Sequence, residues 1–219
     1  MTELRNRAPV SPDASGITGV VLVVEDDPLV QRALGRLFRK AGHRVELFDD
    51  LESFAAKELP DDPTCLVLDL HLPDGNGLEI VDALHDGGTP VPAVVITAHG
   101  DVPTTVRAMR KGAVELIEKP FDNDQVLAAV AEGLARDAKY RAARQRRDAA
   151  CDLLATLSPR ELEVFDLVVE GLANKVVASR LDVAEKTVKV HRARAMKKVG
   201  ATSLADLIYL ANTARSTEP

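Results

Sequence analysis

Short apolar runs alternate with amphipathic stretches through the first two thirds of the chain. The runs at 20–24, 45–48, 65–68, 93–97 and 114–118 are rich in aliphatic, mostly β-branched residues and sit between turn-forming clusters, which predicts five buried strands. Between the first two, Val30, Ala33, Leu34, Leu37 and Phe38 recur at helical spacing. Pro28 can open that helix and Gly42 can close it. Further helices are expected over 51–58, from about 77 to 86, and from an Asp101 cap to about 111. Asp122 and Gln125 are spaced as a capping box for a long last helix. Regular strand–helix alternation predicts an α/β domain, a five-stranded parallel, doubly wound (flavodoxin-like) sheet with right-handed crossovers.

The pattern changes in the last third. No Pro or Gly stands between Leu134 and Ser158, and the stretch 137–157 is basic, so a helical linker is expected there. Ser158 and Glu161 form a second capping-box signal, with Pro159 at the first helical position. Leu162, Phe165, Val168 and Val169 read as that helix's inner face. A helix over 174–181, a turn at Asp182–Ala184 and a helix over 185–199 fit a helix-turn-helix, followed by a last helix from Ser203 with Leu204, Leu207, Ile208 and Leu210 inward. On the third helix Ala184, Val188, Ala195 and Val199 share one stripe at about 100° per residue. The opposite face carries Lys186, Val190, Ala193 and Lys197, flanked by Lys189 and Arg194, with Thr187 and His191 on the shoulder. Arg192 is expected to snorkel towards backbone. Small central side chains between basic ones suit a helix that approaches a groove floor. The whole reads as a disordered leader (1–17), an α/β domain (18–136), the linker (137–157), an all-α domain (158–214) and a tail (215–219).

Charge sharpens the division. Residues 1–135 hold 12 Lys and Arg against 23 Asp and Glu; residues 136–219 hold 16 against 11. An acidic first part and a basic second part point to different partners, nucleic acid for the second. Neither an export signal nor a long apolar span is legible, which favours a cytoplasmic protein away from the membrane. Cys65 and Cys151 are far apart and read as reduced thiols, Cys65 in the core.

Candidate chemistry lies just past the strands. The first gives Glu25 and Asp26, the third Asp69, the fourth Thr97 and the fifth Lys119, all on one rim if the strands are parallel. Clustered carboxylates repel unless a cation intervenes, and Mg²⁺ takes such oxygen ligands together with a phosphate. Lys119 and Thr97 can hold phosphoryl oxygens, and an aspartate can accept a phosphoryl group covalently.

These residues carry a resemblance. Val-Val-Glu25-Asp26-Asp27, Leu-Asp69-Leu-His71-Leu-Pro73-Asp-Gly-Asn-Gly77, Thr97-Ala98-His-Gly and Glu118-Lys119-Pro120-Phe121 resemble a response-regulator receiver domain. The resemblance implies that Asp69 is the phosphoacceptor and that Thr97 and Lys119 read the phosphoryl group. It implies Mg²⁺ held by Glu25, Asp26, Asp69 and the backbone carbonyl of His71, and a cis peptide before Pro120. Leu116 stands where many members carry a switching Tyr or Phe. Leu157–Glu161, Gly171–Lys175 and Lys186-Thr-Val-Lys-Val-His191-Arg resemble the LuxR/NarL/FixJ-type DNA-binding domain. By that resemblance Lys189 and Val190 read bases while Lys175, Thr187 and His191 hold backbone; Lys186, Arg194 and Lys197 add basic contacts. Ala184 departs from the usual capping Ser. The His99–Pro103 loop and the Ile117–Phe121 run look similar to the FixJ branch.

The expectation is therefore a two-component transcription regulator. A sensor histidine kinase, double-stranded DNA, RNA polymerase and a second copy of the chain on phosphorylation are the implied partners. No turnover enzyme is expected: an aspartyl-phosphate hydrolase would need an acid two residues past Asp69, where His71 stands. A DNA binder using the first domain only to dimerise is the other rival, disfavoured by the intact acidic site.

Overall fold

The structure, a computed structural model, describes residues 17–88, 90–98 and 102–216. The expected leader (apart from Ile17), the last three residues of the tail and the Asp101 cap lie outside the described residues. The chain divides into two compact units between Lys139 and Tyr140.

In the first unit the apolar runs become strands β1 (Val20–Val24), β2 (Arg44–Phe48), β3 (Thr64–Asp69), β6 (Ala93–Thr97) and β7 (Ala113–Glu118). They form one sheet in the order β2-β1-β3-β6-β7. Every pairing is parallel. Period-two alternation divides each buried strand between two cores. Val20, Leu22, Val24, Leu66, Leu68 and Val95 face Phe54 of α2 (Leu51–Ala55), Leu78 and Val81 of α3 (Leu78–Asp86), and Ala108 of α4 (Val102–Arg110). Val21, Val23, Cys65, Val67, Val94 and Ile96 face Leu34 and Phe38 of α1 (Pro28–Lys40), with Val126, Val130 and Leu134 of α5 (Asn123–Ala155). Burial pushes the Cys65 thiol far up, so it stays protonated as a core residue. Among the described residues no helix is long and apolar enough to cross a membrane.

Three expectations change here. Helix α2 stops at Ala55 rather than near 58, because Lys57 turns back to pair with Glu46 and Pro60 follows. The loop after Asp69 contains a small antiparallel hairpin, β4 (His71–Leu72) with β5 (Gly75–Asn76). At the start of α5, Asp122 accepts from the Asp124 N–H, but the Gln125 amide donates to Glu115 across to β7. The linker is helical as expected, a continuation of the last helix of the first unit: α5 runs unbroken for 33 residues, to Ala155. Asp137 ties that helix down by accepting from the Thr64 N–H at 2.7 Å, and residues 144–149 beyond are exposed.

The second unit packs the end of α5 with α6 (Pro159–Val169), α7 (Asn174–Arg180), α8 (Glu185–Val199) and α9 (Leu204–Arg215) around Val164, Phe165, Val168, Val177, Val188, Ala195 and Leu207. The inner faces rotate slightly from expectation. Val164 is buried while Leu162 and Leu204 are 37 % exposed; in the first turn of α6 Glu161, and not Leu162, takes the inner position. Ala184 is exposed as the N-cap of α8 rather than part of its buried stripe. Arg192 donates to the Asn174 side chain, not to backbone. Gly200 takes a left-handed conformation (φ 70°) and closes α8.

The Ser158–Glu161 capping box forms as expected. Lys198 donates to Glu161 at 2.6 Å and to the Thr156 carbonyl at 3.0 Å, fastening the end of α8 to the start of α6. The Lys198 and Ser158 bonds hold the Glu161 carboxyl down at about 2, against an ordinary 4.5. A depressed folded-state pKa contributes stability above the unfolded value and loses it as pH falls through the folded one. Unfolding of the second unit in urea should therefore grow easier between about pH 4.5 and 2, and Glu161→Gln should flatten that dependence. Asp206, whose carboxyl is also depressed by bonds from Thr202 and Ser203, retains its own share of the slope. A Glu161→Gln profile parallel to wild type would refute the assignment.

Candidate functional site

The sheet order reverses direction between β1 and β3, and the crevice outside the carboxyl ends of two such strands is where open α/β sheets bind ligands. Parallel register places Val24 beside Leu68, so Glu25 stands next to Asp69. Glu25, Asp26 and Asp69 each offer a carboxylate oxygen, all within 4.8 Å of one another. Glu25 and Asp69 are buried and Asp26 is exposed.

Lys119 reaches in from the end of β7. Its Nζ donates to Asp69 Oδ2 at 2.7 Å and to Glu25 Oε2 at 2.8 Å and Oε1 at 3.0 Å. The Lys119–Pro120 peptide is cis. Burial by itself would lower the lysine's pKa, but its bonds to Asp69 and Glu25 outweigh that and hold it above the ordinary value. Burial pushes the Glu25 carboxyl up; Lys119 pulls it back, and the Asp69 charge adds to the rise. The second Asp69 oxygen accepts from the His71 N–H at 3.0 Å. Thr97 is fully buried at the end of β6, and its carbonyl accepts from the Lys119 N–H at 2.8 Å. All five rim residues expected from the sequence are thus positioned by the strand ends, and the His71 backbone lies beside Asp69. The His71 side chain is exposed.

The site suits a hard divalent cation. Three converging carboxylate oxygens provide hard donors, and one lysine leaves them net negative. Glu25, Asp26 and Asp69 are the carboxylates that converge there.

The supporting roles of three residues escaped sequence reading, although two of them, Asp74 and Gly77, stand in the motif around Asp69. Gly77 has a helical φ, yet a Cβ there would stand 2.1 Å from the Asp69 carbonyl oxygen, so only glycine lets α3 start against β3. Asp74 caps α2 from the hairpin loop, accepting from Leu51 and Glu52 N–H groups at 2.8 and 3.1 Å. Gln31 is buried on the inner face of α1 and donates towards three oxygens behind the rim. A polar residue three before Leu34 and seven before Phe38 was the available signal.

The second unit presents its own surface. Along α8, Lys186, Lys189, Val190, Arg194 and Lys197 are exposed, and Thr187 and His191 are half-buried. Lys175 is exposed on α7. Lys189 pairs with Glu185 at 3.0 Å, a surface contact weak enough to yield to a phosphate or base. Ala184 gives α8 no side-chain cap, so first-turn N–H groups at that end stay open to an anion.

The response regulator receiver domain family matches residues 21–131, and the luxR family of bacterial regulatory proteins matches residues 155–211. Nodulation protein W of Bradyrhizobium diazoefficiens is 44% identical over 89% of this chain and 86% of its own. Transcriptional regulatory protein FixJ of Rhizobium meliloti is 39% identical over 87% of this chain and 94% of its own. The solved structure of the response regulator StyR matches with a TM-score of 0.79 at 42% identity, over 90% of this chain and 98% of that one. Full-length FixJ from B. japonicum matches with a TM-score of 0.54 at 34% identity, over 90% of this chain and 97% of that one.

Among the described residues Lys119 is the cation bonded to both buried carboxylates, so its removal has a definite cost. With chelator present, Lys119→Met should destabilise the first unit by about 3 kcal/mol, the low end for breaking a buried pair because the lysine keeps 19% of its side chain exposed. Urea titration checks this; unchanged stability would mean the ion cluster carries no net strength.

Proposed function

This chain belongs to the response regulators that join a receiver domain to a luxR-family DNA-binding domain, and on that premise we propose how its residues perform the switch. The protein is a phosphorylation-dependent transcriptional regulator of a two-component system. A histidine kinase and DNA are the partners its two domains imply. We assign residues 18–136 to the receiver, 137–157 to a helical connection and 158–214 to the DNA-binding domain.

Asp69 is the phosphoacceptor. One of its oxygens attacks the phosphorus of a phosphohistidine on the kinase; the phosphorus–nitrogen bond breaks, its electron pair stays on the imidazole, and an acyl phosphate remains on Asp69. The observation that carries this reading is the Lys119 ammonium held between Asp69 and Glu25. A cation in that place offsets charge on incoming phosphoryl oxygens, and the His71 N–H orients the carboxylate. Glu25, Asp26, Asp69 and the His71 carbonyl would hold Mg²⁺, which would supply charge neutralisation for the transferring group when bound.

Phosphorylation then redistributes Lys119 from the carboxylates towards a phosphoryl oxygen, with the Thr97 hydroxyl as second donor. Lys119 directly follows β7 and its N–H bonds the Thr97 carbonyl of β6, so the shift biases the face built by α4 and β7. Leu116, partly buried there, takes the place of an aromatic switch residue. Two phosphorylated copies pair, and their α8 helices enter two half-sites, with Lys189 and Val190 on base edges. Lys175, Lys186, Thr187, His191, Arg194 and Lys197 hold the phosphate backbone. The dimer works in the cytoplasm and presents promoter DNA to RNA polymerase.

Incubated with a small-molecule phosphodonor and Mg²⁺, wild type should gain the mass of one phosphoryl group and its solution mass should double. Asp69→Asn should show neither change. Stoichiometric labelling of Asp69→Asn would displace the acceptor, and labelling of wild type without a change in solution mass would remove dimerisation from the reading.

A further inference from the structure

Gln31 is 8% exposed on α1, in a position otherwise given to core residues. Its Nε2 lies 3.2 Å from the Glu25 carbonyl, 3.1 Å from the Phe48 carbonyl and 2.6 Å from Asp49 Oδ1. All three neighbours are acceptors, so the amide nitrogen and not its oxygen must face them. The Phe48 carbonyl also accepts from the Glu25 N–H at 3.0 Å. One amide therefore joins the end of β1, the end of β2 and the loop leading to α2.

What this fixes is Asp26. That residue is exposed and its side chain makes no bond to the described residues, so its place depends on its neighbours. On one side Glu25 is held by its backbone through Gln31 and Phe48. On the other Asp27 caps α1, accepting from Leu29 at 2.7 Å and Val30 at 3.3 Å, and its N–H reaches Glu25 Oε1 at 3.3 Å. A carboxylate that repels two neighbours will drift outward unless the backbone beneath it is clamped. A cation binds more tightly when its ligands are held in place before it arrives.

We propose that Gln31 is a positioning residue of the cation site: by bonding the Glu25 carbonyl and crossing to β2, it holds the Glu25–Asp26 backbone so that Asp26 stays aimed at Asp69. It touches neither the cation nor the phosphoryl group. The inference rests on reading Glu25, Asp26 and Asp69 as ligands, and it concerns binding before any chemistry.

The test is the Mg²⁺ dissociation constant of the full chain by titration calorimetry, without phosphodonor. Gln31→Met keeps the length and removes the donor. It should weaken Mg²⁺ binding on the order of ten-fold, the effect typical of groups that orient ligands. Amide hydrogen exchange at Asp26 and Asp27 should accelerate in the cation-free protein. Leu134→Ala, in the core beneath α5, controls for general loss of stability and should leave Mg²⁺ affinity within about two-fold, since distant sites act independently. Gln31→Met binding Mg²⁺ as tightly as wild type, or no more weakly than Leu134→Ala, would overturn the positioning role. Should Gln31→Met fail to fold, Gln31→Asn, which falls one methylene short of the acceptors, carries the same two readings. Wild type that binds no Mg²⁺, or Asp26→Ala that binds it unchanged, would instead overturn the ligand assignment itself.

Discussion

Like charges packed at the end of a buried sheet are the constraint on which the first domain is built. Glu25 and Asp69 are out of water, and their repulsion is offset by one ammonium placed between them. That arrangement is stable but incomplete, because a single lysine cannot neutralise three carboxylates. The deficit makes the rim ready for a cation, and in the proposed switch the lysine is the group that turns from the carboxylates to a phosphoryl oxygen. Stored electrostatic imbalance and the capacity to switch are thus one property.

The rest of the fold serves that rim. Parallel strands buried on both faces bring the carboxyl ends to a common edge, and the direction change between β1 and β3 opens the crevice where Glu25 meets Asp69. Gly77 lets α3 begin in contact with the Asp69 carbonyl, and the hairpin loop is fixed to α2 through Asp74. The lysine's own backbone N–H is bonded to the residue that ends the neighbouring strand, so a change at the rim passes directly into β6 and β7. In the second domain the same economy appears on a smaller scale: Lys198, the last residue but one of α8, is bonded to Glu161 of the first capping box, which anchors α8 through its end rather than its face.

Strands, crossovers and rim residues were legible because each has a local signature. Apolar runs of four or five residues ended in Glu25, Asp69, Thr97 and Lys119, and chain order alone then placed them on one edge. The capping box at Ser158 was equally local. What was not legible depends on partners distant in sequence. Gln31 reads as a polar intrusion until Phe48 and Asp49 are brought beside it. Gly77 looks like a loop glycine until the Asp69 carbonyl is seen under it. Gln125 has the spacing of a capping box, yet its amide is bonded to Glu115 on the neighbouring strand. Ala184, Leu162 and Leu204 fell on the inner side of idealised wheels, but a cap residue and two helix-edge leucines are set by how helices dock, which periodicity does not encode.

The central claim is that phosphorylation at the acidic rim governs DNA binding by the second domain. Beryllofluoride, which occupies the place of a phosphoryl group on an aspartate, allows this to be read at equilibrium. The decisive measurement is the affinity of the full chain for a duplex selected from a random pool, in Mg²⁺, with and without beryllofluoride. The account predicts tightening of roughly 5- to 150-fold in wild type, the usual range of coupling between two sites, and none in Asp69→Asn. Equal affinity in wild type under both conditions would contradict it, leaving the receiver as a domain that does not control the one that reads DNA.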